Sequence, residues 1–418
     1  MDKILRVAYF PDSFLEVDGV AMTSNKLVRF ARERNYPFLC VHAGPETKVS
    51  DEGSVRLLSL KRSPLAIPMD HSLRYDPLFQ RHVAKVRKEM EAFRPDVIHI
   101  TGPNDVSIIG AYLAWSMDIS LVASWHTNVH EYASRRLDRK LSFLPDSTRS
   151  AITKFIEQSV LKGAVLYYKM PQCILAPNQD ILEILVNSTG RPAKLMVRGV
   201  DTDVFSPSKR TVNDGILRFG FVGRLRIEKN VRLLVDLEHR LLASGRNNFK
   251  FLIVGEGDER EYLEKNMTTA EFTGYLGGEA LSEAYANMDV FIFPSETDAY
   301  GNVPQEAMAS GAPAIVSNLG GPRFFVRNGE NGFVADGLDE FVRYAIELID
   351  DRAKLEQMKR SSIAYAATRS WDSVFETVYE AYAAAKDRLD EKKCRRPQAK
   401  RRSILSRFGT AVHDSNTK

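Results

Sequence analysis

The stretch DVFIFPSETDAYGNVPQEAMASGAPAIVSN, residues 289–318, contains two short and continuous apolar runs that flank a polar loop. Continuous rather than alternating runs are typical of parallel strands that are covered on both faces. Between them, Pro304 suits the first turn of a helix and Gly311 suits its end, so a short helix is predicted over roughly 303–310. The stretch therefore predicts a strand–helix–strand unit of an α/β domain.

The same alternation of apolar runs and helical patterns extends along most of the chain. Strands are predicted in the runs RVAYF, FLCVHA, DVIHI, LVASW, CILAP, LMVRGV, LRFGFVG and FKFLIVG. Helices are predicted between them, in stretches such as NKLVRFARERN, RHVAKVRKEMEAF, NVRLLVDLEHRLLASG and GLDEFVRYAIELIDD. Strands and helices that alternate at this length predict doubly wound parallel sheets with right-handed crossovers.

The alternation pauses at VFSPSKRTVNDG, residues 204–215, which is polar, contains Pro and Gly, and lacks periodicity. We interpret it as a linker, because the strand LRFGFVG follows it directly. The chain then divides into a first domain at 1–205, a second domain at 212–370 and a long terminal helix at 371–389. The last segment, 390–418, is charged and poor in apolar residues, so we expect it to be disordered.

The composition is that of an ordinary folded protein, with 418 residues of which 44% are hydrophobic and 27% charged. Its three cysteines lack CxxC spacing, which indicates a reducing compartment and argues against a zinc site. No apolar run is long enough for a secretory signal or a transmembrane helix, so we expect a cytoplasmic protein. Eleven Lys or Arg and four Asp or Glu between Lys386 and Lys418 give that segment a net charge of +7, against a formal total of +4.

The polar loop and the short helix of the opening stretch carry two carboxylates, Asp298 and Glu306, separated by seven residues. The helix should present Glu306 in its first turn, at the carboxyl edge of the sheet where open α/β sheets bind ligands. A carboxylate accepts hydrogen bonds from two adjacent hydroxyls, so the pair suits the ribose and the hexose of a nucleotide sugar. The alternative is that Glu306 only compensates the helix dipole and that Asp298 is an ordinary loop residue.

Two cations follow the strand LRFGFVG of the second domain. Arg224 lies just past the strand end, and Lys229 lies at the predicted start of the next helix. A guanidinium, an ammonium and a helix N-terminus at one sheet edge suit a diphosphate. The alternative is that both are ordinary surface charges. Gly255 and Gly257 follow the next strand, where a Gly-x-Gly pattern is equally typical of any tight turn.

Taken together, these motifs closely resemble those of the retaining glycosyltransferases of family 4. The family pattern is usually Glu-x7-Glu followed by Ala-Met-Ala-x-Gly, and here Asp298 takes the place of the first glutamate. The series Gly-Arg-Leu-x-x-x-Lys at Arg224 and Lys229 and the segments SNLGGP and NGENGFVAD follow the family's order. The resemblance covers about residues 4–389. Tyr300, in Asp-Ala-Tyr-Gly-Asn-Val, makes the chain similar to the branch of sulfolipid synthases and GDP-mannose-dependent alpha-mannosyltransferases.

The resemblance implies an α/β fold of the GT-B type, in which two Rossmann-like domains face each other across a cleft. It implies that Glu306 binds the donor ribose and that Asp298 holds the donor hexose. Arg224 and Lys229 would bind the diphosphate and stabilise the leaving nucleotide. The implied donor-binding set is completed by Gly19, Gly274, Tyr275, Tyr300, Gly301, Asn302 and Val303, of which Gly274 and Tyr275 would border the base.

In the first domain, Asp18-Gly19-Val20 follows the first strand, where the family often has Gly-Gly-Val. A negative side chain is unfavourable beside a diphosphate, so we expect Asp18 to point at the acceptor or at solvent, with Gly19 as the residue of close approach. His126 follows the strand LVASW. A single histidine there is often structural, but the resemblance implies a positioning role beside the donor sugar, on the acceptor side. We interpret His99 as structural.

Asp-Thr-Asp at 201–203 looks like the metal-binding Asp-x-Asp of other glycosyltransferases, but it opens the linker, where Gly-Val-Asp is usual in family 4. With no other cluster at metal-ligand spacing, we predict no essential metal and no cofactor other than the donor substrate. The expected reaction moves a hexose to an acceptor hydroxyl with retention of configuration, and GDP-mannose is favoured over a UDP-sugar. Its catalytic residues would be His126, Asp298, Arg224 and Lys229.

Two other functions stay open from the sequence, a nucleotide-sugar epimerase-like enzyme and a non-catalytic nucleotide-sugar-binding scaffold. A nicotinamide dehydrogenase is disfavoured, because no Gly-x-Gly-x-x-Gly follows a strand with an acidic residue about 20 positions on. The acceptor is expected to be a lipid or a glycan. The basic tail is a candidate for peripheral contact with the inner face of an anionic membrane. The alternative is a solvated tail, and binding of nucleic acid is not expected.

Overall fold

The computed structural model describes residues 4–16, 18–68, 74–126 and 146–394, and each of its two α/β domains is built on its own sheet. The strands of the first domain are β1 (Val7–Phe10), β2 (Phe38–Gly44), β3 (Lys48–Glu52), β4 (Val55–Lys61), β5 (Ile67–Pro68), β6 (Arg74–Tyr75), β7 (Val97–Ile100), β8 (Ser120–Ser124), β9 (Cys173–Ala176) and β10 (Ala193–Leu195). The main sheet has the order β10-β9-β8-β7-β1-β2-β4-β3, and only β3 pairs antiparallel to its neighbour. Strands β5 and β6 form a separate pair.

The second domain contains β11 (Leu217–Val222), β12 (Phe249–Val254), β13 (Ala270–Gly274), β14 (Val290–Phe293), β15 (Ala314–Ser317) and β16 (Gly332–Ala335). They form a parallel sheet in the order β13-β12-β11-β14-β15-β16. The winding direction reverses between β11 and β14, as it does between β1 and β7 in the first domain. Open α/β sheets bind ligands at such a switch point, beyond the carboxyl ends of the strands.

Helices cover both faces of the first sheet. Ala8 and Phe10 of β1 belong to one apolar layer, while Val7 and Tyr9 belong to the other, as the alternation along a strand requires. Within the described ranges, no helix combines the length and the apolar character needed to cross a membrane. The helices are α1 (Gly19–Glu33), α2 (Val83–Phe93), α3 (Asp105–Met117), α4 (Asp146–Tyr167), α5 (Gln179–Thr189), α6 (Leu233–Ala243), α7 (Arg260–Asn266), α8 (Gly278–Ala286), α9 (Asn302–Ala309), α10 (Gly337–Asp350), α11 (Arg352–Ala367) and α12 (Trp371–Cys394).

The terminal helix α12 continues past its predicted end at 389 and packs against the first domain. Its Tyr382 lies in the same apolar layer as Tyr9 of β1. Where the chain returns from the second domain, a Cβ on Gly199 would lie 2.6 Å from the backbone nitrogen of Trp371. The absence of a side chain at Gly199 therefore lets the two interdomain segments touch. The predicted disordered segment at 390–418 lies outside the described residues from 395 onward.

The strands that the sequence does not predict lie mostly at sheet edges. Strands β3, β13 and β16 are edge strands, which have one neighbour and carry shorter or more polar runs than the central strands. The predicted strand LMVRGV is also corrected, because β10 ends at Leu195 and the rest of the run, including Arg198, forms the crossing to the second domain.

Candidate active site

Two loops meet at the switch point of the second sheet, one after β11 with Lys229 and one after β14 with Asp298. The Lys229 Nζ donates to both carboxylate oxygens of Asp298, at 2.6 and 2.8 Å, and the Ser295 Oγ donates to one of them at 2.5 Å. Burial raises the pKa of Asp298, but the Lys229 ammonium and these hydrogen bonds outweigh burial, and the net pKa is below its ordinary value. The loop therefore holds an ionised carboxylate in a fixed position.

The cationic loop after β11 is positioned by a close contact with the loop after β12. A Cβ on Gly257 would lie 2.2 Å from the backbone oxygen of Leu225, so only glycine permits this approach. Lys229 ends a short 3₁₀ turn, Ile227–Lys229, before α6 begins, rather than starting a helix as predicted. Arg224 is exposed and lowers the pKa of the Asp298 carboxyl through its charge. The structure thus brings Arg224, Lys229 and Asp298 together.

Glu306 is buried in α9 and lies in its second turn, not in the first turn as predicted, because the helix begins at Asn302. The Tyr285 hydroxyl donates to its Oε2 at 2.8 Å. Burial raises the pKa of Glu306 to about 6, although the hydrogen bond from Tyr285 and the positive charge of Lys26 on α1 act in the opposite direction. This carboxyl therefore changes its charge just below neutral pH.

The N-terminus of α9 is fixed by tight backbone contacts. Gly301 precedes the helix at φ +88°, and a Cβ there would meet Pro322 at 2.8 Å, so both the backbone conformation and the space require glycine. The backbone nitrogen of Gly321 donates to the backbone oxygen of Asp298 at 2.7 Å. The Gly-Gly-Pro segment after β15 therefore supports the loop that carries Asp298.

The N-termini of α1 and α9 lie side by side across the interdomain cleft. Gly19 begins α1 and Asn302 begins α9, and a Cβ on Gly19 would lie 3.3 Å from the Asn302 side-chain nitrogen. The first backbone N–H groups of a helix lack partners within the helix, and the helix dipole is positive at that end. Gly301 at the N-cap of α9 offers no side-chain acceptor, so the first N–H groups of α9 favour an anionic ligand, whereas Asp18 caps those of α1.

The remaining predicted donor-binding residues have varied surroundings. Tyr300 is buried, with its ring 5.1 Å from that of Phe325, and Val303 packs against the core of the second domain. Gly274 ends β13 at φ +74°, and Tyr275 beside it is 68% exposed. The structure thus places the side chains of Tyr300 and Val303 in packing contacts, while a role for Tyr275 at the base stays a prediction.

Asp18 caps the first helix, which corrects the expectation that its side chain points at the acceptor or at solvent. Its Oδ1 accepts hydrogen bonds from the backbone nitrogens of Val20 and Ala21, at 2.9 and 2.8 Å. Its Oδ2 accepts a hydrogen bond from the Ser13 hydroxyl at 2.6 Å. An aspartate in this place satisfies N–H groups that have no partner inside the helix. Capping thus accounts for an acidic residue beside a site that suits anions.

Replacing Asp18 with alanine should lower the free energy of unfolding by about 1 kcal/mol, because the cap of α1 is lost. Asparagine caps helices equally well, so Asp18→Asn serves as the matched control and should unfold close to the wild type. Urea unfolding of the three proteins measures the difference. An alanine variant as stable as the wild type would show that the cap contributes nothing.

His126 follows β8, and both of its ring nitrogens are bonded within the protein. The Nε2 lies 2.6 Å from the Ser124 hydroxyl, and the Nδ1 lies 2.7 Å from a guanidinium nitrogen of Arg198. Burial, assisted by the charge of Arg198, holds the pKa of His126 well below its ordinary value. The imidazole is therefore neutral at physiological pH. His99, interpreted as structural, is buried and bonded through both nitrogens.

Sequence patterns do not identify the residues that join the first domain to the loop of Asp298. The Asn178 side chain caps α5 and donates to the backbone oxygen of Ala299 at 2.5 Å. Arg323 forms an ion pair with Asp180 of α5. The sequence does carry a signal for Asn178, because it lies between a strand and a helix, where asparagine is a preferred helix cap. The carboxyl ends of parallel strands are also where α/β sheets bind ligands.

The Asp-Thr-Asp segment contacts neighbouring protein groups. Asp201 pairs with Lys26 of α1 at 3.4 Å and accepts a hydrogen bond from the backbone nitrogen of Val204 at 3.3 Å. Among the described residues, no group of three or more His, Cys, Asp or Glu side chains is arranged to hold a metal ion. Independence from metal stays a prediction.

Comparisons with known proteins cover nearly the whole described chain. The family Glycosyltransferase Family 4 matches residues 17–204, and Glycosyl transferases group 1 matches residues 205–365. The chain is 29% identical over 392 residues to a GDP-mannose-dependent alpha-mannosyltransferase of Corynebacterium glutamicum, with 91% of this chain and 89% of the relative covered. It is 30% identical over 402 residues to a protein of the same name from Mycobacterium tuberculosis, with 92% and 98% covered. Sulfoquinovosyl transferase SQD2 of Arabidopsis thaliana is 27% identical over 415 residues, with 92% and 75% covered.

Solved structures share the fold at lower identity. Sucrose-phosphate synthase from Thermosynechococcus elongatus superposes with a TM-score of 0.69 at 17% identity, with 91% of this chain and 98% of that chain covered. Anabaena HepE, in complex with UDP and glucose, superposes with a TM-score of 0.63 at 18% identity, with 91% and 99% covered. Two parallel α/β domains of this kind define the GT-B fold. The chain belongs to glycosyltransferase family 4 and is a glycosyltransferase. The epimerase and scaffold alternatives are not favoured by these relatives.

Proposed function

We propose that the protein transfers a hexose from a nucleotide diphosphate sugar to an acceptor hydroxyl with retention of anomeric configuration, and that the donor is GDP-mannose. One observation carries the proposal. Lys229 and Asp298 form an ion pair at the switch point of the second sheet, and the helix that follows Asp298, α9, carries Glu306. Support for the donor comes from the relatives, since three that match 91–92% of this chain at 29–30% identity are named GDP-mannose-dependent alpha-mannosyltransferases.

In this proposal each charged group has a separate task. Glu306 accepts hydrogen bonds from the ribose hydroxyls, and Asp298 accepts hydrogen bonds from the hexose. Arg224 and Lys229 bind the diphosphate and stabilise its added negative charge as the bond to the sugar breaks. The N-terminus of α9, where the cap residue is Gly301, supplies further N–H donors without a side-chain charge. These groups supply the positive charge that a metal ion supplies in other enzymes.

Retention requires that the acceptor approach the face of the sugar from which the nucleotide leaves. The bond between the anomeric carbon and the diphosphate oxygen breaks, and its electron pair stays on the diphosphate. The acceptor oxygen bonds the same carbon, and its proton passes to the leaving diphosphate. A covalent intermediate on Asp298 is disfavoured, because the carboxylate is already engaged by Lys229 and Ser295. Domain closure excludes water from the reaction.

A thermal-shift panel of GDP, UDP and ADP with their common sugars, first without metal and then with magnesium, tests the donor. A ligand present at 100 times its dissociation constant stabilises by about 2.7 kcal/mol. We expect GDP and GDP-mannose to stabilise without metal, and stabilisation by UDP alone would contradict the proposed donor. NMR of the product with an added acceptor then reads the anomeric configuration. An altered nucleotide sugar formed without acceptor would support the epimerase reading.

We further propose that the acceptor is a lipid or a glycan and that the basic tail holds the enzyme at the cytoplasmic face of an anionic membrane. Residues 395–418, outside the described part of the chain, contain seven Lys or Arg and one Asp. Each basic residue near an anionic surface contributes about 1 kcal/mol. Deleting 395–418 should therefore abolish sedimentation with phosphatidylglycerol-containing vesicles at low salt, while neutral phosphatidylcholine vesicles bind neither protein. Equal sedimentation of both proteins would contradict a role for the tail.

A further inference from the structure

A continuous series of buried hydrogen bonds runs from the domain crossing to the terminal helix. Arg198 bonds to His126 at 2.7 Å, and His126 bonds to the Ser124 hydroxyl at 2.6 Å. Ser124 bonds in turn to His99 at 3.0 Å, and His99 bonds to the hydroxyl of Tyr382 on α12 at 2.7 Å. The series joins β8, β7, the domain crossing and α12 beneath the carboxyl edge of the first sheet.

The chemistry of arginine fixes the direction of these bonds. A guanidinium only donates, so the Nδ1 of His126 must be the acceptor and carries no hydrogen. The hydrogen of the neutral ring is then on Nε2 and is donated to the Ser124 oxygen. Ser124 can donate onward to His99, which can donate onward to Tyr382. One arginine therefore sets the tautomer of His126, and the rest of the series follows in a consistent order.

Arg198 is an unusual residue in a protein interior. Its side chain is buried and donates hydrogen bonds to His126 and to the backbone oxygen of Met196, the latter at 3.1 Å. Within the described residues, no carboxylate lies within ion-pair distance of it. Burying a charge without a counter-charge costs free energy, so stability alone does not explain an arginine here. Its backbone oxygen also accepts a hydrogen bond of 3.4 Å from Tyr300, which belongs to the loop of Asp298.

We propose that Arg198 is a positioning residue of the active site, which holds His126 as the neutral tautomer with its hydrogen on Nε2 and links it to the donor loop through Tyr300. The proposal rests on the proposed function only in placing His126 beside the donor sugar. Both ring nitrogens face protein partners, so His126 acts by position and shape, and proton transfer at its ring is excluded from the reaction.

Histidine side-chain NMR tests the proposal without any substrate. The titratable groups around the pair are His99 of β7, Tyr9 of β1, Tyr300 of the donor loop and Tyr382 of α12. Arg198→Met removes the donor and the charge, and Arg198→Lys restores both. The His126 resonance is identified by its loss in His126→Gln. In the wild type and in Arg198→Lys, we expect the Nε2–H tautomer and no titration between about pH 5.5 and 8.

In Arg198→Met, nothing donates to Nδ1, so the hydrogen should no longer be fixed on Nε2 and the Nδ1–H tautomer should appear. Burial, the larger cause of the low pKa of His126, is unchanged and should keep the ring neutral. A methionine variant whose His126 keeps the wild-type tautomer would overturn the proposal. If that variant does not fold, Ser124→Ala provides the test. Arg198 still donates to Nδ1 of His126 in that variant, so the Nε2–H tautomer should persist. A change to the Nδ1–H tautomer would overturn the proposal.

An activity measurement separates the positioning role from the donor assignment. With GDP-mannose and an acceptor, Arg198→Met should lower kcat by about 100-fold, because His126 is no longer held in place, and leave the affinity for GDP unchanged. An equal loss in GDP affinity and kcat would instead place Arg198 in nucleotide binding. Should GDP-mannose prove to be the wrong donor, the NMR result still stands on its own.

Discussion

Replacing Lys229 with methionine should reduce turnover by about 10²–10³-fold, the effect expected when one fixed charge is removed from a leaving group. The ammonium is nearly buried, with 11% of the side chain exposed, and it is the cation that balances Asp298. Its loss leaves the carboxylate without a hydrogen-bonded counter-charge, with only the weaker influence of the exposed Arg224. The pKa of Asp298 should then rise, and the free energy of unfolding at neutral pH should fall by roughly 3 kcal/mol. Steady-state kinetics and urea unfolding measure the two effects.

The double variant Lys229→Met with Asp298→Asn separates the two roles of the lysine. Removing both charges should recover most of the lost stability, because no unpaired carboxylate is left, but turnover should stay low. Lys229→Arg keeps the charge and is the matched control for folding. If the double variant recovered turnover, Lys229 would act only by holding Asp298, and its contact with the diphosphate would be disproved.

The central part of the fold could be predicted because its strands are buried on both faces. The runs around β11, β12, β14 and β15 are continuous and apolar, and the turn residues between them mark the helices. The edge strands could not be predicted in this way, since one side lacks a neighbour and their sequences are short or charged. The run LMVRGV illustrates the limit, because its apolar letters continue after the sheet has ended.

The charged residues of the candidate site could be predicted because each follows a strand at the switch edge. What the sequence could not give is which groups those residues contact inside the protein. Asp18 turns back to cap its own helix, and Tyr300 packs against Phe325, because local hydrogen bonds and burial decide these orientations. Arg198 lies in a run that reads as a strand, so its bond to His126, distant in the sequence, had no local signal.

Replacing Glu306 with glutamine should weaken nucleotide-sugar binding while it stabilises the fold. The donor ribose would lose a charged acceptor, and a hydrogen bond to a charged group contributes about 1.5–3 kcal/mol, which corresponds to a roughly 10–150-fold loss of affinity at pH 8. In the wild type, that affinity should also fall as the pH drops below about 6, because the carboxyl becomes protonated. Calorimetry with the donor nucleotide at pH 5.5 and pH 8 measures both effects.

The effect of Glu306 on stability has the opposite sign. Its folded pKa of about 6 lies above the ordinary value of 4.5, so the stabilising contribution of the protonated form is complete below pH 4.5 and is lost as the pH rises through 6. That loss amounts to about 2 kcal/mol, at 1.36 kcal/mol per pKa unit. Glutamine cannot ionise and can still accept the hydrogen bond from Tyr285, so the variant should match the wild type at pH 4.5 and exceed it at pH 8. If the variant and the wild type were equally stable at both pH values, the Glu306 carboxyl would not be held in an unfavourable charged state. If both proteins bound the donor with equal affinity at pH 8, contact between Glu306 and the ribose would be excluded.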